Sequence, residues 1–595
     1  MKIPRRVCMF NFHIFVFQIV FLIIMSISLF GLELPFIRQI VVFTYLTFLP
    51  GFLFLRIIKV KGTGTIEIIL FSVGLSLSFL MIIGLLVNVT YPILGFHQPL
   101  SIMPLTVTII IVTGILYILN CFMSMESFDK GNSVSLKLKP VPLMTLLLLP
   151  FLSVLGACIL TYYHSSFLLA ILIIIISLVT FLATLDIGVP KRYYILLVYS
   201  IGVALLFHKT LISEGLVGVD VRGEYSLAYS VASNGYWDHT SHSFSINNSL
   251  LSISILPVIY SILMNISLIW MFKLIYPIFF SLVPVGLYYV FREQSDEKTA
   301  FLSAFFFMSL HTFFMVMPST TKQMIAEVFL SLIILLMVNK RISSLKKRAL
   351  SIVFAFSMIV SHYGISYLFM LTLIPVLLLL KMLKSIKENY ENLKHHDIMT
   401  KTFVGLFFVM SIAWYIYVSN ATTFESFVLI GNHIYNSIYA EFFELESREG
   451  AVRKLLGLEP ALSIWRQIGY GYYLLTQFFI LVGLLALVRA LVKGKRYLNF
   501  NDVHVAFSFV NVLWLAAALL PHFSSYMGIS RLYHVMLFFL SPFCILGGKA
   551  FFKYTLKKVK SIQANRRMLD SILIFAVLLP YFFFSTGLVF EVVGD

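Results

Sequence analysis

The stretch SEGLVGVDVRGEYSLAYSVASNGYWDHTSHSFSINN, residues 213–248, is the longest polar interval in the first half of a chain otherwise built almost continuously from apolar segments. It holds Glu214, Asp220, Arg222, Glu224, Asp238, His239 and His242. Asp220 and Glu224 stand four residues apart. A helix over 219–232 would therefore set both carboxylates on one face, about one turn apart. Carboxylates that converge where a membrane protein meets water form a candidate functional site.

What surrounds this stretch decides the fold class. With 60% hydrophobic and 12% charged residues, and a mean hydropathy of +0.95, the chain falls far below the roughly 25% charge of soluble domains. Apolar runs able to cross a hydrocarbon core of roughly 30 Å recur from one end to the other. The runs are continuous rather than alternating, so they predict helices and not a barrel. The net charge of +18 does not point to nucleic acid, because the lysines and arginines sit in short loops between spans, where they set orientation. Cys8, Cys121, Cys158 and Cys544 fall in or beside apolar runs with no CxxC spacing, which predicts neither a disulfide framework nor thiol chemistry. The start, MKIPRR before an apolar run from Val7, lacks a small-x-small cleavage site and reads as an uncleaved first span.

The chain thus reads as an all-α polytopic membrane protein with seventeen spans, roughly 8–30, 36–56, 65–87, 102–122, 142–162, 166–185, 193–209, 268–291, 299–317, 322–338, 349–361, 365–382, 402–418, 471–490, 503–520, 531–548 and 570–588. The apolar stretch 250–265 is short and interrupted by Pro257, so it is expected to be a re-entrant or interfacial helix. With the N-terminus inside, most of the 44 lysines and arginines fall on the inner side and the C-terminus lies outside. The sequons at Asn88, Asn247, Asn265 and Asn420 all fall in expected outer segments, a mild agreement. The outer loops of interest are 210–267 and 419–470, with a shorter one at 521–530. The first six spans, within 1–192, have short, nearly uncharged outer loops and read as an accessory module. The region 193–595, with about eleven spans, is then the working part. The lysine-rich 557–567 reads as an inner-surface anchor to anionic lipid.

Several residues at the outer side are candidates for chemistry. Of Asp220 and Glu224, one can act as a base while the other orients a partner or a cation; a solvated loop with a salt bridge to Arg222 is the plainer alternative. Asp238, His239 and His242 have metal-compatible spacing, although surface histidines explain them as well. Lys322 opens the tenth span, and Glu327 lies five residues further in, where a glutamate is costly without a partner. SHYG (361–364) breaks an apolar run and puts His362 and Tyr363 at the outer interface, as a hairpin tip or as part of a site. In SRLYH (530–534), Arg531 is suited to hold a lipid phosphate by charge-assisted hydrogen bonds, with His534 one turn on. The charged 441–466 reads mostly as a solvated amphipathic helix. No Walker A or strand-borne GxGxxG is present, so an outer-face reaction would draw on a donor already activated in the membrane.

A long outer loop with an acidic motif, many spans, and then a basic residue at the outer interface resembles the GT-C superfamily of membrane glycosyltransferases. The strings DVRGEYSLAYSVASNGYWD (220–238), SLLSISILPVIYSIL (249–263), WMFKLIYPIFFSLVPVGLYYVF (270–291), SHYGISYLF (361–369) and SRLYHVMLFFLSPF (530–543) are similar to those of an uncharacterised archaeal family of multipass membrane proteins. The resemblance implies a GT-C-like catalytic part that uses a polyprenyl-phosphate-linked sugar at the extracytoplasmic face of the cell membrane. Transfer would be inverting, to a glycan, lipid or surface-protein acceptor of the cell envelope. By motif position the catalytic carboxylate falls on Asp220, with Glu224 second. Arg222, Lys322, His362, Tyr363, Arg531 and His534 would line the substrate. If a divalent ion, Mg or Mn, takes part, Asp220 and Glu224 are its ligands. The VRG between the two acids departs from the adjacent acids of the mannosyltransferases, and GYWD (235–238) is not placed as a WWD signature. The alternatives are a transporter or flippase of a lipid-linked or small anionic substrate, or a non-catalytic envelope-assembly scaffold.

Overall fold

A computed structural model describes residues 5–123, 140–387, 398–419, 421–441, 444–448, 450, 453, 463–493, 500–523, 528–555 and 566–594. Every regular element among them is helical, and no strand occurs among the described residues. The first six helices are α1 (Arg5–Leu29), α2 (Ile37–Ile57), α3 (Thr65–Thr90), α4 (Ile102–Met123), α5 (Pro140–Tyr163) and α6 (Phe167–Thr184). The middle of the chain forms α7 (Tyr194–Thr210), α8 (Val219–Asn234), α9 (Leu251–Met264), α10 (Tyr276–Phe280), α11 (Leu282–Arg292), α12 (Glu297–Met308), α13 (Thr321–Val338), α14 (Ser344–Ile359) and α15 (Tyr363–Lys387). The remainder forms α16 (Lys401–Tyr417), α17 (Thr422–Ala440), α18 (Ile464–Val492), α19 (Asp502–Ala517), α20 (Ile529–Thr555), α21 (Arg566–Thr586) and α22 (Leu588–Val593).

Helix α13 is buried on every side: all of its residues are buried, Lys322, Gln323 and Glu327 included. It packs chiefly on α14, α11 and α10, and also meets α3, α8, α9, α15 and α19. At the rim, α1, α4 and α18 turn large apolar side chains outward, among them Phe12, Phe15, Ile111, Ile115, Leu481 and Leu485. That stripe is what lipid-facing helices present.

The seventeen expected spans each meet a helix, but twelve helices among the described residues are long and apolar enough to cross a membrane, or fourteen if two bent pairs each count as one span. The difference has local causes. The expected span 299–317 is broken after Met308, and its continuation at Thr312–Ser319 is bent by 52°. The span 268–291 remains one of the twelve, assembled from a π-helical turn at Met271–Ile275, then α10 and α11. After α16 the chain turns by 110° into α17. Of the surface helix expected at 441–466, Leu445–Ser447 is a single tight turn, Gly450 and Arg453 are helical, and most of the rest lies outside the described residues. The stretch 250–265, expected as a re-entrant or interfacial helix, is α9, and it is buried within the bundle. The basic segment 557–565 lies outside the described residues.

The N-terminal helices are tied to the rest. Arg38 donates to the Leu263 and Ile262 carbonyls at 2.9 and 3.1 Å. At the end of α13 remote from α8, Asn339 donates to the buried Glu67 at 2.7 Å, and Arg341 pairs with Glu67 and Glu293 at 3.3 and 2.8 Å. The closest helix contact is between α18 and α20. A Cβ at Gly547 would stand 1.8 Å from the Phe479 carbonyl, and one at Gly483 would stand 2.2 Å from that of Phe543. Small residues let membrane helices approach backbone to backbone.

Candidate functional site

Helix α8 is built to lie half submerged on the bundle. Val221, Glu224, Leu227, Ala228 and Val231 are its buried face, a helical stripe in which one member is a carboxylate. Gly218 precedes it at φ 133, and a Cβ there would stand 2.6 Å from that of Ser319. The backbone before α8 thus lies against the turn before α13, which only glycine allows. Arg222 points away: it is exposed, and its Nε donates to the Leu216 carbonyl at 2.9 Å.

The helix places its two acids differently. Asp220, in the first turn, keeps half its side chain exposed. Glu224 is fully buried and sits on the N-terminus of α13. Its Oε2 accepts from the Thr321 backbone N–H at 2.8 Å and the Thr321 hydroxyl at 2.5 Å, with the Lys322 N–H at 3.4 Å. A carboxylate there meets the unpaired first amides and the positive end of the helix dipole. Lys322 Nζ lies 3.5 Å from Glu224 Oε1 and donates to Asn247 Oδ1 at 2.9 Å. Burial raises the Glu224 carboxyl above its ordinary range, while Lys322 and the Thr321 bonds pull it down. The four-residue spacing does bring Asp220 and Glu224 to one end of α8, but Glu224 is a buried cap of another helix.

The remaining expected residues gather around this pair at different depths. Lys322 is itself buried, with the Tyr363 ring 5.9 Å from its ammonium. His362, expected at the interface, is buried, and its Nδ1 accepts from the Ile365 N–H at 3.0 Å. Burial, then Lys322 and Arg531, hold that imidazole well below its usual pKa, so it is neutral. Its ring stacks on Tyr363 at 5.3 Å. Arg531, one-third exposed, reaches over α8 so that its guanidinium is 3.9 Å from the Asp220 carboxylate. One turn deeper on α20, His534 Nε2 bonds Glu327 Oε2 at 2.9 Å, with both side chains wholly buried.

The residues do not fit a divalent ion shared by Asp220 and Glu224. One Glu224 oxygen is taken by Thr321 and the other faces an ammonium, which would oppose a second cation. Among the described residues no group of three or more His, Cys, Asp or Glu side chains is placed to hold a metal. Asp238 accepts from Thr240 N and Oγ1 at 2.9 and 2.6 Å, and these bonds hold its carboxyl below the usual range. His239 is exposed, and the His242 side chain lies outside the described residues.

Thr321 and Asn247 complete the site and carry no local signal for that role. Asn247 stands out in the sequence only as a sequon, and Thr321 not at all. The sequon at Asn88 is not a surface one: its amide is buried and bonded both ways to the Trp237 backbone, at 2.9 and 2.8 Å. That bond and the Trp237 Nε1 bond to the Asn248 carbonyl at 3.0 Å anchor the segment after α8. Asn420 lies outside the described residues.

Comparison with known proteins adds one similarity. No curated protein matches the chain. Residues 347–595 match a family described as "Predicted membrane protein (DUF2206)". The matched segment includes His362, Tyr363, Arg531 and His534, whereas Asp220, Glu224, Lys322 and Glu327 precede it. Together with the twelve to fourteen apolar helices, the similarity supports a multi-pass membrane protein, with its lipid surroundings.

Proposed function

We propose that the protein is a membrane glycosyltransferase of GT-C type, with α8 on the extracytoplasmic side, the N-terminus inside and the C-terminus outside. It takes its sugar from a polyprenyl-phosphate donor and transfers it with inversion to a glycan, lipid or protein acceptor. The carrying observation is the pair at the rim. Asp220 and Arg531 face each other at 3.9 Å, too far for a hydrogen bond and both still partly exposed. The two stand as a loose ion pair on one rim, and a donor entering there parts them, so that the sugar lies between the base and the cation at the distance inversion needs, roughly 6.5–9.5 Å. The acceptor oxygen bonds the anomeric carbon while its proton passes to the Asp220 carboxylate. The bond from that carbon to the phosphate oxygen breaks, and its electron pair stays on the phosphate, beside Arg531. Glu224 and Lys322 neutralise each other beneath and hold α8 on α13. Tyr363 and the neutral His362 form the floor. No step passes through a divalent ion.

A transporter of a lipid-linked or small anionic substrate is the second reading, favoured by the buried Glu327–His534 pair, since ionisable residues within spans often mark transport paths. The experiment supplies labelled polyprenyl-phosphate sugars to purified wild-type and Asp220→Asn protein and follows transfer to acceptor or water. Transfer by wild type that falls on the order of a hundredfold or more in the variant, as for a lost general base, with the melting temperature unchanged, is the expected result. Equal transfer by both would remove Asp220 from the reaction. Accumulation of labelled substrate inside vesicles without transfer would favour the second reading.

A further inference from the structure

We propose that Glu327 and His534 are positioning residues, whose buried bond sets where Arg531 stands relative to Asp220. Glu327 lies on α13, five residues beyond the Lys322 that pairs with Glu224. His534 lies on α20, three residues beyond Arg531. The pair closes a ring of polar links through three helices. Asp220 and Glu224 share α8, Glu224 caps α13, Glu327 reaches from α13 to His534, and α20 returns through Arg531 to Asp220. The principal packing partners of α13 are α14, α11 and α10, while those of α20 are α18, α12 and α19. The two helices share no principal neighbour, although α19 touches both, and the pair joins them directly.

The surroundings give the bond its direction. Glu327 Oε1 also accepts from Gln323 Nε2 at 3.0 Å, so the carboxylate is held from both sides. His534 Nδ1 has no hydrogen-bond partner among the described residues. The rings of Phe307, Phe538, Phe280 and Phe313 stand 4.7, 6.1, 6.3 and 6.3 Å from the imidazole. These rings offer no hydrogen-bonding group, and the Glu327 carboxylate is the side-chain partner that orients the imidazole. A rotation of α20 that moved Arg531 off Asp220 would break it.

The inference rests on reading Asp220 and Arg531 as the reacting site, but its test does not use transfer. Cysteines replace Asp220 and Arg531 in the full chain, with the four native cysteines replaced by alanine, and the rate of cross-linking by a short bis-maleimide is measured. In this background Glu327→Leu, His534→Leu and the double leucine variant are compared with Glu327→Gln, which can still bond both Gln323 and His534. The leucine variants are expected to cross-link about tenfold more slowly, on the scale of one lost hydrogen-bonded constraint, and Glu327→Gln at the parent rate. The double variant keeps the test open should the singles unfold, since apolar replacement of a whole buried pair is often tolerated. Should that variant also fail to fold, Glu327→Gln combined with His534→Phe removes the bond while filling the space. Parent-like cross-linking in folded variants that lack the bond would overturn the proposal. Cross-linking that follows the bond, in a protein whose wild type transfers no sugar, would sink the transferase reading and leave this one standing.

Discussion

At the scale of single residues, the pair of Glu224 and Lys322 shows how burial changes what a charge is for. Each is almost wholly removed from solvent. Removing one partner strands the other's charge, a loss of about 3–5 kcal/mol for buried pairs, whereas replacing both by apolar groups is often neutral. Glu224→Gln and Lys322→Met are therefore each expected to lower thermal stability in detergent markedly, and the double variant to recover most of the loss. Equal, additive losses would show that the two do not interact. The pH dependence has a definite sign. Burial raises the Glu224 carboxyl above its ordinary value of 4.5, so it takes up a proton more readily in the folded chain than in the unfolded one. That contribution is complete below the ordinary value and is lost as pH rises through the elevated one. Wild-type stability should descend across that window, and Glu224→Gln should lack the descent. An identical profile would remove Glu224 as its source.

At the scale of helices, what matters is how closely backbones approach and where spans break. The contact of α18 with α20 depends on Gly547 and Gly483, where a methyl group in place of a glycine hydrogen would overlap carbonyl oxygens of the facing helix at 1.8 and 2.2 Å. A backbone cannot yield as a side chain does. Gly547→Val is expected to cost more than the about 1–3 kcal/mol usual for overpacking and to shift the start of α20, which carries Arg531. Gly548→Ala meets only side chains of Ile574 and Phe479, at 3.1 Å and beyond, and should melt close to wild type. Thermal midpoints of the two variants in detergent decide this; equal midpoints would mean that the helices can separate freely. The bends after Met308 and after α16, with the shorter apolar helix α19, explain why hydropathy alone counts more spans than there are long straight helices. A window average sees apolar residues and not the bend between them.

At the scale of the whole molecule, the proposed sidedness puts α8 and the turn before α13 at one surface and the start of α14 at the other. Tyr229 on α8 is 57% exposed and Leu345 on α14 is 78% exposed, so a cysteine at either can be labelled without unpacking the bundle. In intact cells a membrane-impermeant maleimide should modify Tyr229→Cys and leave Leu345→Cys until the membrane is opened. The reverse pattern would invert the topology and remove an extracytoplasmic lipid-linked donor from consideration. Much of this level is legible in the chain alone. A bilayer asks every span for a long apolar run whose backbone is satisfied within its own helix, and that demand acts locally, so composition and run length are enough to read a helical membrane protein. The spacing of Asp220 and Glu224 is local too, and since 219–232 is helical, as that reading required, both acids stand at one end of α8. Their separate roles are not local. Glu224 meets Thr321 across 97 residues and Glu327 meets His534 across 207. Which carboxylate is buried, which lysine neutralises it and which arginine faces the exposed one follow from helices that become neighbours only when the bundle packs, and no spacing along the chain records that.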